Sequence, residues 1–533
     1  MAALGETHSA DLGKETGSIG DGGEMYDFVP HPVDPEVPEE FRPTTAVEDS
    51  AAPTTAVSQP AEEEEMQIFT LADCFAYAQK HAREYQTAKE DLYLTALALT
   101  LERHLWTPRF SGSISSQYAN YGQTRDFDHA MDAVSEVALE QRLPLGGTVT
   151  ARLLNDWVRD LGEHVTVGET GQMILEADIP LLRGAGKVAY ESRYQAERDL
   201  IYAVRDFERF RRSFLVTIAG EYFNLLSARA RIESAEANER AFLEDMERTR
   251  GLAAKALKQV RQVDADRAEV AYLLARNRAV TEQASYQDAL DRFKIRLGIA
   301  TITLMDVAGE ETLDLHEPQV DQRAAIATAV KYRLDLLNDL DAVDDARRGV
   351  RIAKRNMLPD FDFSGSVTMN TDPNRPNSAS YNTERTTWRA MLNLEIPFDR
   401  VSERNSYRAG LIDLRRAERR HHEAVDTVRL EVRRALRELE QTRVTMEIQR
   451  RSITVNERRR EIAQLQYELG TLSSNRDKIE AEDDWRQAKN SYAQAQAAYR
   501  LTILQFFRDT GTLRVGDDGS WITPGMTETA AKP

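Results

Sequence analysis

The chain has 533 residues and a net charge of −19, unevenly spread: residues 1–65 hold sixteen acidic and two basic side chains, so they carry −14 and the remaining 468 carry −5. A body so nearly balanced lacks the basic footprint of a nucleic-acid binder, and no nucleic-acid partner is expected. One cysteine, Cys74, excludes an intramolecular disulfide and any multi-cysteine metal site.

Residues 1–65 are rich in Pro, Glu, Thr, Ser and Gly and read as an acidic disordered segment, because they offer too little apolar surface to offset chain entropy. The first residues, Met1 to Thr7, have no basic n-region and no apolar h-region, so they do not read as a signal peptide. No stretch of the chain approaches the roughly 18 apolar residues that a membrane-spanning helix needs. The first ordered element is an Ala- and Arg-rich helical run that Pro108 closes, with Cys74 as a small core residue on its apolar face. Alternation of period two follows, with Phe110, Gly112, Ile114 and Tyr118 on one side and Ser111, Ser113, Ser115 and Gln117 on the other. Val137, Leu139 and Leu143, then Gly146-Gly147, then Val149, Ala151 and Leu153 read as an extra hairpin with a Gly-Gly turn. Met173, Leu175, Ala177 and Ile179 complete the first alternating region, which Pro180 ends.

Between Pro180 and Pro318 there is no proline, and strong helix formers dominate. Phe214, Ile218, Tyr222 and Leu225 recur at helical spacing. The gap accommodates two antiparallel helices of roughly 40 to 60 residues, each about 60 to 90 Å long. The pattern then restarts. A second helical run is closed by Pro359. Phe361, Phe363, Val367 and Met369 alternate with polar residues, as do Trp388, Ala390, Leu392, Leu394 and Ile396, up to Pro397. Another proline-free helical region runs to Pro524. A sheet with one apolar face suits either packing on helices or a barrel facing lipid outside and water inside. Each half supplies few strands for helices so long, which favours several chains pooling their strands.

The restart is a tandem duplication. Arg109-Phe110-Ser111-Gly112-Ser113-Ile114 returns as Asp362-Phe363-Ser364-Gly365-Ser366-Val367, and Ala78 and Tyr85 stand as far from Pro108 as Ala329 and Leu336 from Pro359. Asp264, Ala268, Glu269, Tyr286, Phe293 and Gly298 recur at one constant offset as Asp477, Ala481, Glu482, Tyr499, Phe506 and Gly511. Elsewhere the chemistry is sparse. Gly184-Ala185-Gly186-Lys187-Val188 lacks the leading glycine and final hydroxyl residue of a phosphate loop and reads as a helix-start turn. His421 and His422 are adjacent, so on a helix they diverge by about 100° and do not form a metal-binding pair.

The duplicated plan resembles the TolC-type outer-membrane efflux family over about residues 66–515. Thr70-Leu71-Ala72-Asp73 is similar to the family's opening helix. Leu105-Trp106-Thr107-Pro108 and Asn356-Met357-Leu358-Pro359 resemble its helix-to-strand turns, and Ile179-Pro180-Leu181-Leu182-Arg183-Gly184 its strand-to-helix turn. Leu469-Gly470-Thr471 resembles the hairpin tip that docks a periplasmic adaptor. Asp477 and Glu480, with Asp264 in the first repeat, stand where acidic residues ring the pore aperture, though Glu480 replaces the usual aspartate and one extra residue intervenes.

The resemblance implies a mainly α fold with a β-barrel part: a homotrimer joining a periplasmic α-barrel to a shared outer-membrane β-barrel in outer-membrane lipid. It also implies a passive duct that works with an adaptor and an inner-membrane pump, with no catalysis and no cofactor. Three copies of Asp477 and Glu480 would form a cation-attracting ring. The expected boundaries are a first repeat at 66–318, a second at 319–515 and a disordered tail at 516–533, with more strands than the family's usual four per protomer. The competing reading is a soluble coiled-coil scaffold of the same architecture.

Overall fold

The computed structural model describes residues 66–120, 129–160, 167–254, 262–309, 318, 321–371, 381–469, 476–516 and 521–522. The expected disordered segment at 1–65 and the turn residues Gly470 and Thr471 lie outside these. Within them the chain opens with strand β1 (Gln67–Phe69) and helices α1 (Leu71–His81) and α2 (Arg83–His104). Thr70 starts α1 through a capping box: its side chain accepts from the Asp73 amide, and the Asp73 carboxylate accepts from the Thr70 amide. Strands β2 (Arg109–Asn120), β3 (His129–Arg142), β4 (Thr148–Asp160) and β5 (Val167–Pro180) follow. Helices α3 (Glu191–Ala254) and α4 (Gln262–Leu297) then form a long hairpin, and β6 (Met305–Val307) returns to pair in parallel with β1.

The second repeat copies this order with α5 (Gln322–Tyr332), α6 (Leu334–Arg355), β7 (Asp360–Thr371), β8 (Tyr381–Glu395), α7 (Val401–Glu468) and α8 (Arg476–Asp509). Strand β9 (Arg514–Val515) pairs with β10 (Trp521–Ile522), so a piece of the expected tail is paired strand. The duplication holds residue by residue. The break between α1 and α2 falls at Ala82 and that between α5 and α6 at Arg333, in both cases with an extended backbone. Ala78 and Ala329 are both fully buried, and Tyr85 and Leu336 nearly so.

The helix lengths depart from expectation. The outgoing helices α3 and α7 have 64 and 68 residues, the returning helices α4 and α8 only 36 and 34. At about 1.5 Å per residue the outgoing pair are each roughly 100 Å long. The returning helices end beside the breaks between the short helices, at the last residues of α1 and α5. Gly298, at φ +85°, abuts the His81 carbonyl, and its counterpart Gly511, at φ +72°, abuts that of Tyr332. Here the main core lies, with Phe75, Ile218, Tyr222, Phe293, Leu297 and Phe506 buried together. The Tyr222 hydroxyl donates to the Ala308 carbonyl at 3.1 Å, so a buried polar group keeps a partner.

The remaining strands form one six-stranded antiparallel sheet in the order β2-β3-β4-β5-β7-β8. The extra hairpin is therefore present, and it stands between β2 and β5. Its turn uses Gly146 and Gly147 at φ +101° and +91°. A Cβ on Gly147 would lie 2.1 Å from the Asp178 carbonyl oxygen, so glycine is required there on two grounds.

The candidate conduit

The sheet separates two kinds of row. Phe110, Leu139, Ala151, Leu175, Val367 and Trp388 are successive partners across all six strands. One residue away, on the opposite face, run Arg109, Glu140, Thr150, Glu176, Ser366 and Arg389. Successive side chains on a strand alternate faces, so the first row belongs to a mainly apolar face, interrupted by Ser116, Ser135, Gln141 and Asn155, and the second to a polar one. Ion pairs brace the polar face: Arg109 to Glu140 at 2.8 Å and Arg152 to Glu176 at 2.6 Å. Among the described residues the apolar face has no cover, with Phe110 79%, Ile114 86% and Trp388 77% exposed. An apolar surface this extensive marks contact with lipid or with another chain. No described helix is long and apolar enough to cross a membrane.

Prolines stand at the turns joining sheet to helices. Pro108 and Pro359 follow tight turns closed by Thr107 N–H to the His104 carbonyl and Leu358 N–H to the Arg355 carbonyl. Pro180 ends β5, and Gly184 at φ +78° opens the turn into the short 3-10 segment Gly186–Val188. The glycine-lysine stretch is thus a helix-start turn, braced by Arg355 donating to the Ala185 carbonyl at 3.0 Å. Pro397 lies just after β8, and its carbonyl accepts from Arg400 at 3.1 Å before α7 begins.

Below the sheet, α3 and α6 are joined by half-buried charges that sequence reading missed. Arg198 and Arg205 both grip the Asp341 carboxylate, at 2.8 and 2.5 Å, and Arg348 pairs with Asp345 at 2.6 Å and Glu191 at 3.0 Å. Burial would lower the Arg198 pKa, but the hydrogen bond and charge of Asp341 outweigh it and hold the guanidinium firmly charged. Burial and the neighbouring Asp345 carboxylate together raise the Tyr202 hydroxyl well above its ordinary value. The available signal was the spacing: Asp341 and Asp345 lie four apart on α6, and Arg198 and Arg205 seven apart on α3, which places each pair on one helix face.

At the far end of the hairpins, the predicted tip residues separate. Leu469 caps α7 with its side chain 68% exposed. Asp477 is exposed in the first turn of α8, beside Val455, Arg459 and Ile462 of α7. Glu480 faces the same helix and lies 3.6 Å from Arg459, which also pairs with Asp484. Asp264 behaves differently from its duplicate Asp477. It is 7% exposed, with Arg267 at 3.7 Å. Nearby, Lys478 bonds Asp245 at 2.5 Å and lies over the Tyr467 ring, tying α8 to the α3–α4 hairpin. Burial raises the Glu482 pKa against the pull of Arg460 and Lys478. Trp485 is held between Arg460 and Lys489, 3.8 and 4.3 Å from its ring centroid. His421 and His422 have ring centroids 6.1 Å apart. Among the described residues no group of three or more metal-ligating side chains comes together.

Comparison with known proteins agrees with this geometry. Residues 325–510, most of the second repeat, match the family model described as outer membrane efflux protein. No curated protein matches the chain. Among solved structures, the described fold is similar to CusC, whose structures concern folding and transmembrane channel formation, with a TM-score of 0.63 at 12% identity, covering 86% of this chain and 95% of that one. The Campylobacter jejuni CmeC outer membrane channel gives 0.63 at 15% identity, covering 87% and 94%. The open state of the Neisseria gonorrhoeae MtrE outer membrane channel gives 0.60 at 14% identity, covering 83% and 88%. At such identities the structural likeness is one of fold. The second repeat thus matches the outer membrane efflux protein family model, and the fold as a whole is that of these outer-membrane channels.

Proposed function

We propose that this protein is a passive exit duct through the outer membrane, assembled as a homotrimer whose sheets pool into one β-barrel and whose helices pool into one periplasmic tunnel. The observation that carries the reading is the sheet: six strands, one mainly apolar face, and two open edges, mounted on helical hairpins of roughly 100 Å. A soluble scaffold would have to leave that face in water. A barrel places it in lipid and turns the polar rows to the lumen. The duct works with a periplasmic adaptor, docked at the Leu469-Gly470-Thr471 tip, and with an inner-membrane pump that supplies the energy. The expected repeat boundaries, 66–318 and 319–515, delimit the two halves of each protomer.

The aperture reading rests on Asp477 and Glu480, which are exposed near the tip, whereas Asp264 is buried. Mass measurement in detergent tests the assembly: three chains of 60.4 kDa give about 181 kDa before bound detergent, and a stable monomer overturns the proposal. In planar bilayers, Asp477→Asn combined with Glu480→Gln is expected to weaken cation selectivity and block by multivalent cations. Unchanged conductance and selectivity would place both side chains on the outer surface of the tunnel.

A further inference from the structure

The extra hairpin changes how the barrel wall closes. Near the sheet the helices pack in the order α2, α3, α6, α7: Arg103 of α2 lies 3.4 Å from Glu197 of α3, Arg198 of α3 bonds Asp341 of α6, and a Cβ on Gly410 of α7 would touch Val350 of α6. The strands continuous with these helices, β2, β5, β7 and β8, keep that order, with β3 and β4 inserted between the first two. The inserted pair is registered on both sides, from Arg109↔Glu140 to Asn120↔His129 and from Thr148↔Asp178 to Arg159↔Val167. It also keeps the facing of its neighbours, since Leu139 and Ala151 continue the apolar row and Glu140 and Thr150 the polar one. A hairpin folded into the lumen or over the outer surface would satisfy neither register nor facing.

We infer that all six strands stand in the wall, and that the docking partner of the β2 edge is the β8 edge of a second copy of this chain, so that three copies close a barrel of eighteen strands. This rests on the trimeric duct proposed above. Six strands are too few to close alone, and the two edges leave backbone groups unpaired that hydrocarbon cannot solvate. Six is an even number, so β2 and β8 run in opposite directions, and a neighbour's β8 meets β2 antiparallel as the rest of the sheet requires. The most exposed large apolar side chains of the sheet, Ile114, Phe110 and Trp388, lie on these two edges. Widths agree as well. Six strands spaced about 4.8 Å and tilted about 40° cover about 38 Å of circumference, and four helices at about 9 Å spacing cover about 36 Å. Sheet and helix layer therefore subtend the same arc. Eighteen such strands give a barrel about 36 Å across between backbones, against about 24 Å for twelve.

The test uses the full chain in detergent, where the native Cys74 is buried and inert to cross-linking. Ser113→Cys on the luminal face of β2 is combined in turn with Thr387→Cys, Arg389→Cys and Met391→Cys on β8, covering three registers. One combination is expected to oxidise to covalent dimers and trimers. Ser113→Cys with Glu136→Cys, direct partners on β2 and β3, is expected to close within one chain, and Ser113→Cys with Ile174→Cys on β5 to stay reduced. Closure of the β2–β5 pair, with loss of the β2–β3 bond, would mean that the hairpin lies outside the wall, overturning the inference while leaving a trimeric duct intact. A chain that stays monomeric and yields no intermolecular bond would overturn both. Imaging of the unmutated trimer in lipid nanodiscs reads the strand count directly: eighteen supports the inference and twelve ends it.

Discussion

The two duplicated glycines that seat the returning helices give a comparison with an internal control. At Gly298, a Cβ would lie 2.2 Å from the His81 carbonyl oxygen, 2.7 Å from its carbon and 3.2 Å from the Ala82 nitrogen, all backbone atoms. At Gly511 the nearest atoms, the Tyr332 carbonyl carbon and oxygen, are 3.1 Å away. Both residues have positive φ, which costs an alanine about 1–2 kcal/mol. The contact term separates them. Relieving the Gly298 clash means moving the last turn of α1 by about 1 Å, against the Ala82 N–H bond to Ala78 at 2.9 Å and the full burial of both alanines. Overpacking of that kind costs about 1–3 kcal/mol, whereas a few tenths of an ångström at Gly511 costs little. Gly298→Ala is therefore expected to destabilise the fold by about 2–5 kcal/mol and Gly511→Ala by about 1–2 kcal/mol. Denaturant midpoints followed by helical ellipticity, on protein in one detergent, measure the difference. A loss at Gly511→Ala equal to or greater than that at Gly298→Ala would refute the reasoning.

Three further outcomes are expected. Leu392→Arg on the apolar face of β8 should cost about 2–4 kcal/mol near mid-bilayer and Asn393→Arg on the polar face much less; equal folding yields into lipid would mean the facing is wrong. Asp341→Ala leaves Arg198 and Arg205, 10% and 16% exposed at their side chains, without their shared carboxylate, and should cost about 2–4 kcal/mol, read as a lowered denaturant midpoint that Asp341→Glu partly restores. Glu482 carries a raised pKa in the folded chain, so its charged form opposes folding above the ordinary carboxylate range and ceases to do so below it. Glu482→Gln should accordingly raise Tm at neutral pH, with the gain shrinking to nothing as the pH falls through that range; a gain that grows in acid would contradict the sign.

Much of this architecture is legible in the sequence because the duplication and the two-residue alternation are local patterns. The prolines at 108, 180, 359 and 397 mark the sheet-to-helix turns, and Gly146-Gly147 marks the inserted hairpin. The unequal lengths of outgoing and returning helices were not legible. Proline-free sequence runs on through Gly298 and Gly511, and only the approach of His81 and Tyr332, distant in sequence, shows why the returning helices stop there. The Arg198–Asp341 cluster escaped for a related reason, since a charged helix face looks the same whether it meets water or another charged face. Asp264 differs from Asp477 in lying near Tyr467, which comes from the other repeat.

The connectivity of the sheet also orders its folding. Strands β2 to β5 form a meander in which each strand pairs with the next along the chain, all within residues 109–180. The seam between β5 and β7 instead joins positions such as Gln172 and Asn370, separated by the whole α3–α4 hairpin and by α5 and α6. Loop-closure entropy makes the meander the early product and the seam the slow step. The insertion thus gives the first repeat a four-stranded unit that zips before the second repeat contributes. Pulsed hydrogen exchange during refolding into lipid should find β3 amides protected before those of β7, and simultaneous protection would show that the seam closes with the meander. A nascent chain of this kind carries a substantial lipid-seeking ribbon well before its last two strands are in place, so the interval between zipping and seam closure is when it most needs shielding from water.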